Sequence, residues 1–299
     1  MTVDCKKFAA GLSVCVNGII IIMKLVAGFL CHSISVISEA IHSLGDLFAA
    51  VITLFSVSIS SEPADKKHPF GHGKYEDMSG FIEGSIIILA ALFIVVEAVK
   101  KIIAPTQENF DITLGLYVMG ISGVLDIIVS TILMNTAKKT DSMALYADAQ
   151  HLKTDIYSSL GVFCGLVLIK LSGLQVIDSI IAIFVAIIIF KTGFDLTRKT
   201  SDKLLDSSLP DEELNTICNI LNKFKDKGVI AFKELKSRKL GSQISIEVTL
   251  VFPKNMTILQ CHDVCDLVEA KLKNEFVNVV TSIHLEPDTT NEKIYNKQL

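Results

Sequence analysis

The chain has 299 residues, 50% of them apolar and only 20% charged, with a mean hydropathy of +0.51. That balance excludes an ordinary water-soluble globular protein and calls for lipid as part of the solvent. A formal charge of −4, without a basic block and without a GxGxxG or Walker-type loop, excludes nucleic-acid binding and a nucleotide-driven machine.

Six apolar runs, at 9–30, 35–58, 79–99, 113–136, 144–170 and 174–195, are long enough to cross a hydrocarbon core, which takes about 20 helical residues. They predict a six-helix transmembrane domain over residues 1–204. The first run is too long for a cleavable leader and carries Asn17 and Lys24, so it reads as a retained helix. Lys6 and Lys7 precede helix 1, Lys66, Lys67 and Lys74 lie between helices 2 and 3, Lys138 and Lys139 lie between 4 and 5, and Arg198, Lys199 and Lys203 follow 6. The opposite side has only Lys100, Lys101 and Lys170, so the positive-inside rule puts both termini in the cytoplasm of a multi-pass protein of the cell membrane.

Helix 2 contains Glu39-Ala40-Ile41-His42 followed by Asp46, and helix 5 contains Asp148-Ala149-Gln150-His151 followed by Asp155. Positions four apart lie one above the other on a helix, so each helix presents an imidazole and a carboxylate to one point. Two such helices face to face supply two nitrogens and two oxygens, a tetrahedral zinc-type set, whereas magnesium and calcium prefer oxygen alone. Ionisable groups are costly at bilayer depth, so His42, Asp46, His151 and Asp155 are the primary candidate ligands. Helix 2 runs inward and helix 5 outward, as in an inverted-repeat transporter with its site at midplane. Zinc needs neutral imidazole and ionised carboxylate, so binding expels protons, and protons are the natural counter-ion.

Other polar residues within the helices, Asn17, Lys24, Glu83, Glu97 and Asp126, either line a cavity or snorkel to an interface. Glu39 and Asp148, one turn before each histidine, orient the imidazoles or form part of the ion path. Between helices 2 and 3, Asp65, His68 and His72 form D-x-x-H-x-x-x-H, which offers three ligands with room for water; a turn built on Pro69 and Gly71 with solvated histidines is the alternative.

From Pro210 the periodicity becomes that of a small soluble domain. Leu214, Ile217, Leu221 and Phe224 mark a helix face, Ile244 to Phe252 alternate as a half-buried strand, and a second helix over 256–275 carries Ile258, Cys261, Cys265, Val268 and Leu272. With strands near 229–236 and 277–284 the order is αββαβ, an open α+β sandwich over 205–287, followed by a loose polar tail at 288–299. A domain of about 80 residues has a small core, so packing against a twin is expected. The seven cysteines form no CxxC pair and suggest no disulfide framework; the i, i+4 spacing of Cys261 and Cys265 points to core packing.

Over nearly its whole length the chain resembles the cation diffusion facilitators, whose plan is six helices, HxxxD in helices 2 and 5, and a cytoplasmic αββαβ domain of ferredoxin-like, metallochaperone-like type. The resemblance implies a non-enzymatic homodimer that alternates between inward-open and outward-open states. It implies Zn2+ as transported ion, with Cd2+, Co2+, Fe2+ or Mn2+ as alternatives, and protons in exchange. It assigns Asp65, His68 and His72 to a second metal site, and Lys74 and Asp206 to a charge interlock of the dimer. In the cytoplasmic domain it leaves His262, His284 and Glu286 as candidate ligands, while Lys233 and Thr249 stand where two further histidines are expected. The competing function is a membrane metal sensor or scaffold, whose mark would be a broken HxxxD pair; both pairs are whole.

Overall fold

A computed structural model of the chain describes residues 2–30, 34–103, 112–172 and 176–289. The chain divides into two compact units, Met1–Leu204 and Leu205–Leu299. The first holds six long helices: α1 (Thr2–Leu30), α2 (Ile34–Ser60), α3 (Lys74–Ile103), α4 (Ile112–Thr140), α5 (Met143–Ser172) and α6 (Val176–Leu204). These outrun the apolar stretches, because polar ends continue the helix wherever a partner satisfies them. Thus α1 starts at Thr2 rather than near residue 9, and Lys6 and Lys7 lie inside it instead of preceding it.

Among the described residues, five helices contain a stretch long and apolar enough to cross a membrane: Val3–Ala27, Ser43–Ser60, Lys74–Lys100, Gly120–Thr140 and Ser179–Leu204. Of α5 only the side chains of residues 143–160 are described, and this first half carries Asp148, His151, Lys153 and Asp155. Its polarity is turned inward: Asp148 is completely buried and His151 nearly so. The large side chains Phe8, Phe29, Phe55, Phe93 and Phe184 point away from the bundle, as lipid-facing residues should.

Helix α1 packs on α2 and α4, α4 on α5, and α5 also meets α2, α3 and α6. Small residues set these distances: Ala9, Ala10, Ala144 and Ala149 are buried with Val57, Leu133, Leu145 and Leu152 in one cluster. The α3–α6 seam is tighter still. A methyl group added at Gly84 would stand 2.5 Å from Thr197 Oγ1 and 2.9 Å from the Thr197 backbone nitrogen, and one at Gly193 would stand 3.0 Å from the Gly84 carbonyl oxygen.

The second unit is built from α7 (Asp211–Asn222), β1 (Ala231–Leu240), β2 (Gln243–Phe252), α8 (Ile258–Glu275) and β3 (Val279–Pro287), the expected αββαβ order. Strand β2 is central, antiparallel to β1 and parallel to β3, with α8 as the crossover that a parallel pair requires. Its alternate residues Ile244, Ile246, Val248, Leu250 and Phe252 are buried with Ile217 and Leu221 of α7 and Val268 and Leu272 of α8. Cys261 and Cys265 belong to this core and are free, and burial pushes the Cys265 thiol up to about 11.

One expected core residue is misplaced. Ile258 is 83% exposed, and Val264 is buried in the stripe instead. The cause is the helix start: Thr257 is the N-cap and closes a capping box with Gln260, which leaves Ile258 in the first turn beyond the sheet. The end of the polar tail, 290–299, lies outside the described residues.

Candidate metal centre

Asp46 on α2 and His151 and Asp155 on α5 bring one ligand atom each to within 4.8 Å of one another. His151 Nε2 stands 3.3 Å from Asp46 Oδ1 and 4.0 Å from Asp155 Oδ2. The i, i+4 spacing stacks His151 and Asp155 on one face of α5, and the packing of α2 on α5 supplies Asp46 from across the seam. Side-chain exposure rises from 7% at His151 through 15% at Asp46 to 28% at Asp155, so Asp155 is the most open of the three donors. His42 lies one turn before Asp46 on α2, but its side chain, like that of Glu39, falls outside the described residues. The three described donors already combine an imidazole with two carboxylates, which suits a divalent transition metal held as cargo.

The polar residues around this centre differ in how far they are satisfied, and both oxygens of Asp148 lack a hydrogen-bond partner among the described residues. Lys24 on α1 is buried and donates to Ser43 Oγ at 2.7 Å, and Asn17 donates to the Ser13 carbonyl at 3.0 Å. Glu83 on α3 and Asp148 on α5 are completely buried; Thr53 and Ser79 donate to one oxygen of Glu83. Glu97, by contrast, pairs with Lys100 at 2.8 Å on the surface of α3.

The loop between α2 and α3 gathers a second group, Asp65, His68 and His72, again with ligand atoms within 4.8 Å. Asp65 Oδ1 accepts from the amides of Lys67 at 2.8 Å and His68 at 2.5 Å, a local turn that presents the carboxylate to both imidazoles at 3.6 Å. Gly71, at φ 84°, makes the left-handed step that brings His72 back beside His68, with ring centroids 4.6 Å apart. The His68 amide, ahead of the Lys67 amide and the two imidazoles, holds the Asp65 carboxyl below its ordinary range.

In the second unit His262, His284 and Glu286 do not come together into such a group, among the described residues. His262 is exposed on α8, 3.8 Å from Asp266. Lys233, Thr249 and His284 form one cross-strand row, and the Lys233 ammonium reaches Glu286 at 2.5 Å, with His284 3.8 Å from the same carboxylate. That hydrogen bond raises the Lys233 ammonium above its ordinary range. Lys74 donates to the Leu204 carbonyl at 3.1 Å within the first unit, and Asp206 pairs with Arg238 at 3.0 Å within the second.

Sequence reasoning missed one buried ion pair. Lys6 on α1 meets Glu76 on α3 at 2.9 Å, and Ser60 and Ser142 donate to the same carboxylate. A lone lysine in the first turns of a long apolar helix was the available signal.

Residues 11–205 match the family model of the cation efflux transmembrane domain, and residues 209–288 match that of the cation efflux protein cytoplasmic domain. The chain is similar to an uncharacterized transporter of Synechocystis, 34% identical over 89% of this chain and 85% of that one. It is similar to the manganese efflux system protein MneS of Bacillus subtilis, 28% identical over 95% and 97%, and to the cation-efflux pump FieF of Salmonella paratyphi A, 29% identical over 90% and 88%. With two helices converging on a carboxylate–imidazole centre, an αββαβ domain following in the chain and both family models matched in order, the chain belongs to the cation diffusion facilitator family of membrane cation-efflux transporters.

Proposed function

We propose that this protein exports a divalent transition-metal ion, zinc before others, from the cytoplasm in exchange for protons, by alternating access in a homodimer whose termini face the cytoplasm. The observation that supports this most directly is the approach of Asp46 on α2 to His151 and Asp155 on α5. His42 is the fourth ligand in this reading. An imidazole beside carboxylates disfavours magnesium and calcium and favours zinc, with cadmium, cobalt and ferrous iron close behind. Proton exchange follows from the same donors. The metal binds neutral imidazole and ionised carboxylate, so protons arriving from the far side displace it and metal arriving from the near side expels them.

The loop donors Asp65, His68 and His72 serve as a second, more exposed metal station, and Lys74 and Asp206 serve as a charge interlock of the dimer. Lys233 fills the place of a cytoplasmic metal beside His284 and Glu286, which favours little metal binding by the second unit.

Manganese is the second reading. It rests on the relative from Bacillus subtilis whose name is a manganese efflux system protein, and on the two carboxylates, which a harder ion also accepts.

Reconstitution in proteoliposomes with a pH gradient tests both. Zinc, cadmium, cobalt, ferrous iron and manganese are offered to the wild type and to His42→Ala and Asp155→Ala. Zinc transport that disappears in both variants and collapses with the gradient supports the proposal. Zinc transport unchanged by either substitution refutes the intramembrane site, and movement of manganese without zinc overturns the choice of ion.

A further inference from the structure

We infer that Lys24 is a positioning residue for the transported ion: its ammonium offsets one of three carboxylates around the metal path, so that the ion is released rather than trapped. The inference rests on the proposed metal transport through Asp46, His151 and Asp155.

Lys24 lies within the apolar stretch of α1 and is 7% exposed, a costly place for an ammonium unless the protein uses it. Its Nζ donates to Ser43 Oγ at 2.7 Å. Ser43 is three residues before Asp46 on α2, so the hydroxyl and the carboxylate share a helix face and the ammonium is anchored to the helix that carries a ligand. The carboxyls of Asp126 on α4 and Asp155 on α5 both lie within its field, and both also feel Asp46. Among the described residues, Asp46, Asp126, Asp155 and Lys24 therefore act on one another beside His151. Glu83 and Asp148, two more acids whose charge reaches that imidazole, are completely buried, and Thr53 and Ser79 donate to Glu83.

Among the described residues, Asp126 and Asp155 are carboxyls on which the Lys24 charge acts, and the ammonium offsets one of their negative charges. A transporter's site has to bind tightly enough to load and weakly enough to unload. Without Lys24 the filled site keeps a surplus negative charge, the ion binds more tightly in every state, and unloading slows. Tighter ground-state binding with slower turnover is a lowered KM accompanied by a lowered kcat, which simple loss of packing does not produce.

The test uses the full-length protein in proteoliposomes with a fixed pH gradient and zinc as the probe, together with equilibrium zinc binding to the purified protein. Lys24→Gln is expected to lower KM by at least about tenfold and to lower kcat in step, since one unit charge several ångströms away acts by more than a factor of ten at a protein's effective dielectric. Asp126→Asn is expected to shift KM upward, the double variant Lys24→Gln/Asp126→Asn to return both constants toward wild type, and Lys24→Arg to stay near wild type. A KM that rises or stays constant in Lys24→Gln overturns the inference, as does a double variant no better than Lys24→Gln alone. If the wild type moves no ion at all, the proposed function fails; zinc affinity that still rises in Lys24→Gln and returns in the double variant supports the electrostatic role, and affinity that does not change refutes it.

Discussion

Lys6 on α1 and Glu76 on α3 form an ion pair of 2.9 Å with side chains 9% and 2% exposed, and Ser60 and Ser142 add hydrogen bonds of 2.9 and 2.5 Å to the same carboxylate. One carboxylate thus gathers α1, α2, α3 and the start of α5. Removing one member of a buried pair leaves the other uncompensated, so Glu76→Ala is expected to cost about 3–5 kcal/mol. The measurement is thermal unfolding in detergent. Replacing both charges, as in Lys6→Met/Glu76→Leu, is expected to recover most of the loss, and an unchanged midpoint in Glu76→Ala would show that the pair holds nothing together.

Gly84→Ala is expected to disturb the α3–α6 seam. Its new methyl group meets the Thr197 backbone nitrogen at 2.9 Å as well as the side chain, so shortening Thr197 does not relieve the clash. Overpacking of this kind typically costs about 1–3 kcal/mol. Reduced thermal stability in Gly84→Ala, persisting in Gly84→Ala/Thr197→Ala, is the expected outcome; rescue by the second substitution would place the conflict in the hydroxyl alone.

The loop group makes a prediction about pH. Asp65 has its carboxyl lowered in the folded chain, so its charge is fully present above the ordinary value of 3.8 and is lost only as the pH falls below that. Asp65→Asn keeps an oxygen to accept from the Lys67 and His68 amides but removes the charge. In an Asp155→Ala background, zinc titrations at neutral pH followed by calorimetry should show affinity at least about tenfold weaker, because above its ordinary value the Asp65 carboxylate is fully charged. Unchanged affinity would remove Asp65 from the loop's ligands.

Lys233 occupies the cross-strand row with Thr249 and His284 and engages Glu286. Lys233→His replaces a fixed cation with an imidazole beside His284 and a released carboxylate, three donors on one side of the sheet. Equilibrium dialysis of full-length protein carrying Asp155→Ala and His72→Ala, followed by metal analysis, should count one more zinc per chain in Lys233→His than in the matched Lys233 protein. An equal count would remove the ammonium as the reason for low metal binding there.

Much of this molecule was legible in its sequence because lipid imposes a strong rule. Apolar runs about 20 residues long and an imidazole–carboxylate pair repeated in two of them leave few alternatives. Alternation through Ile244 to Phe252 marked the central strand for the same reason, since one face of β2 had to be buried. What stayed hidden depended on partners far away in sequence. Lys6 and Glu76 are separated by 70 positions, and no hydropathy window joins them. Hydropathy overstated Ile258, because a capping box moved the helix start past the core. Lys233 looked like a lost ligand; only the strand register reveals it as a cation lying beside Glu286.

The contact between Gly84 and Gly193 has a mechanical consequence. Where two helix backbones touch with no side chain between them, they have no compliant layer to shear, so α3 and α6 behave as one stiff spar. The donors Asp46, His151 and Asp155 all sit on other helices. Under the proposed alternating access, motion is taken up where α2 and α5 meet that spar, with the proposed ligands as the moving parts and the glycine seam as the fixed frame.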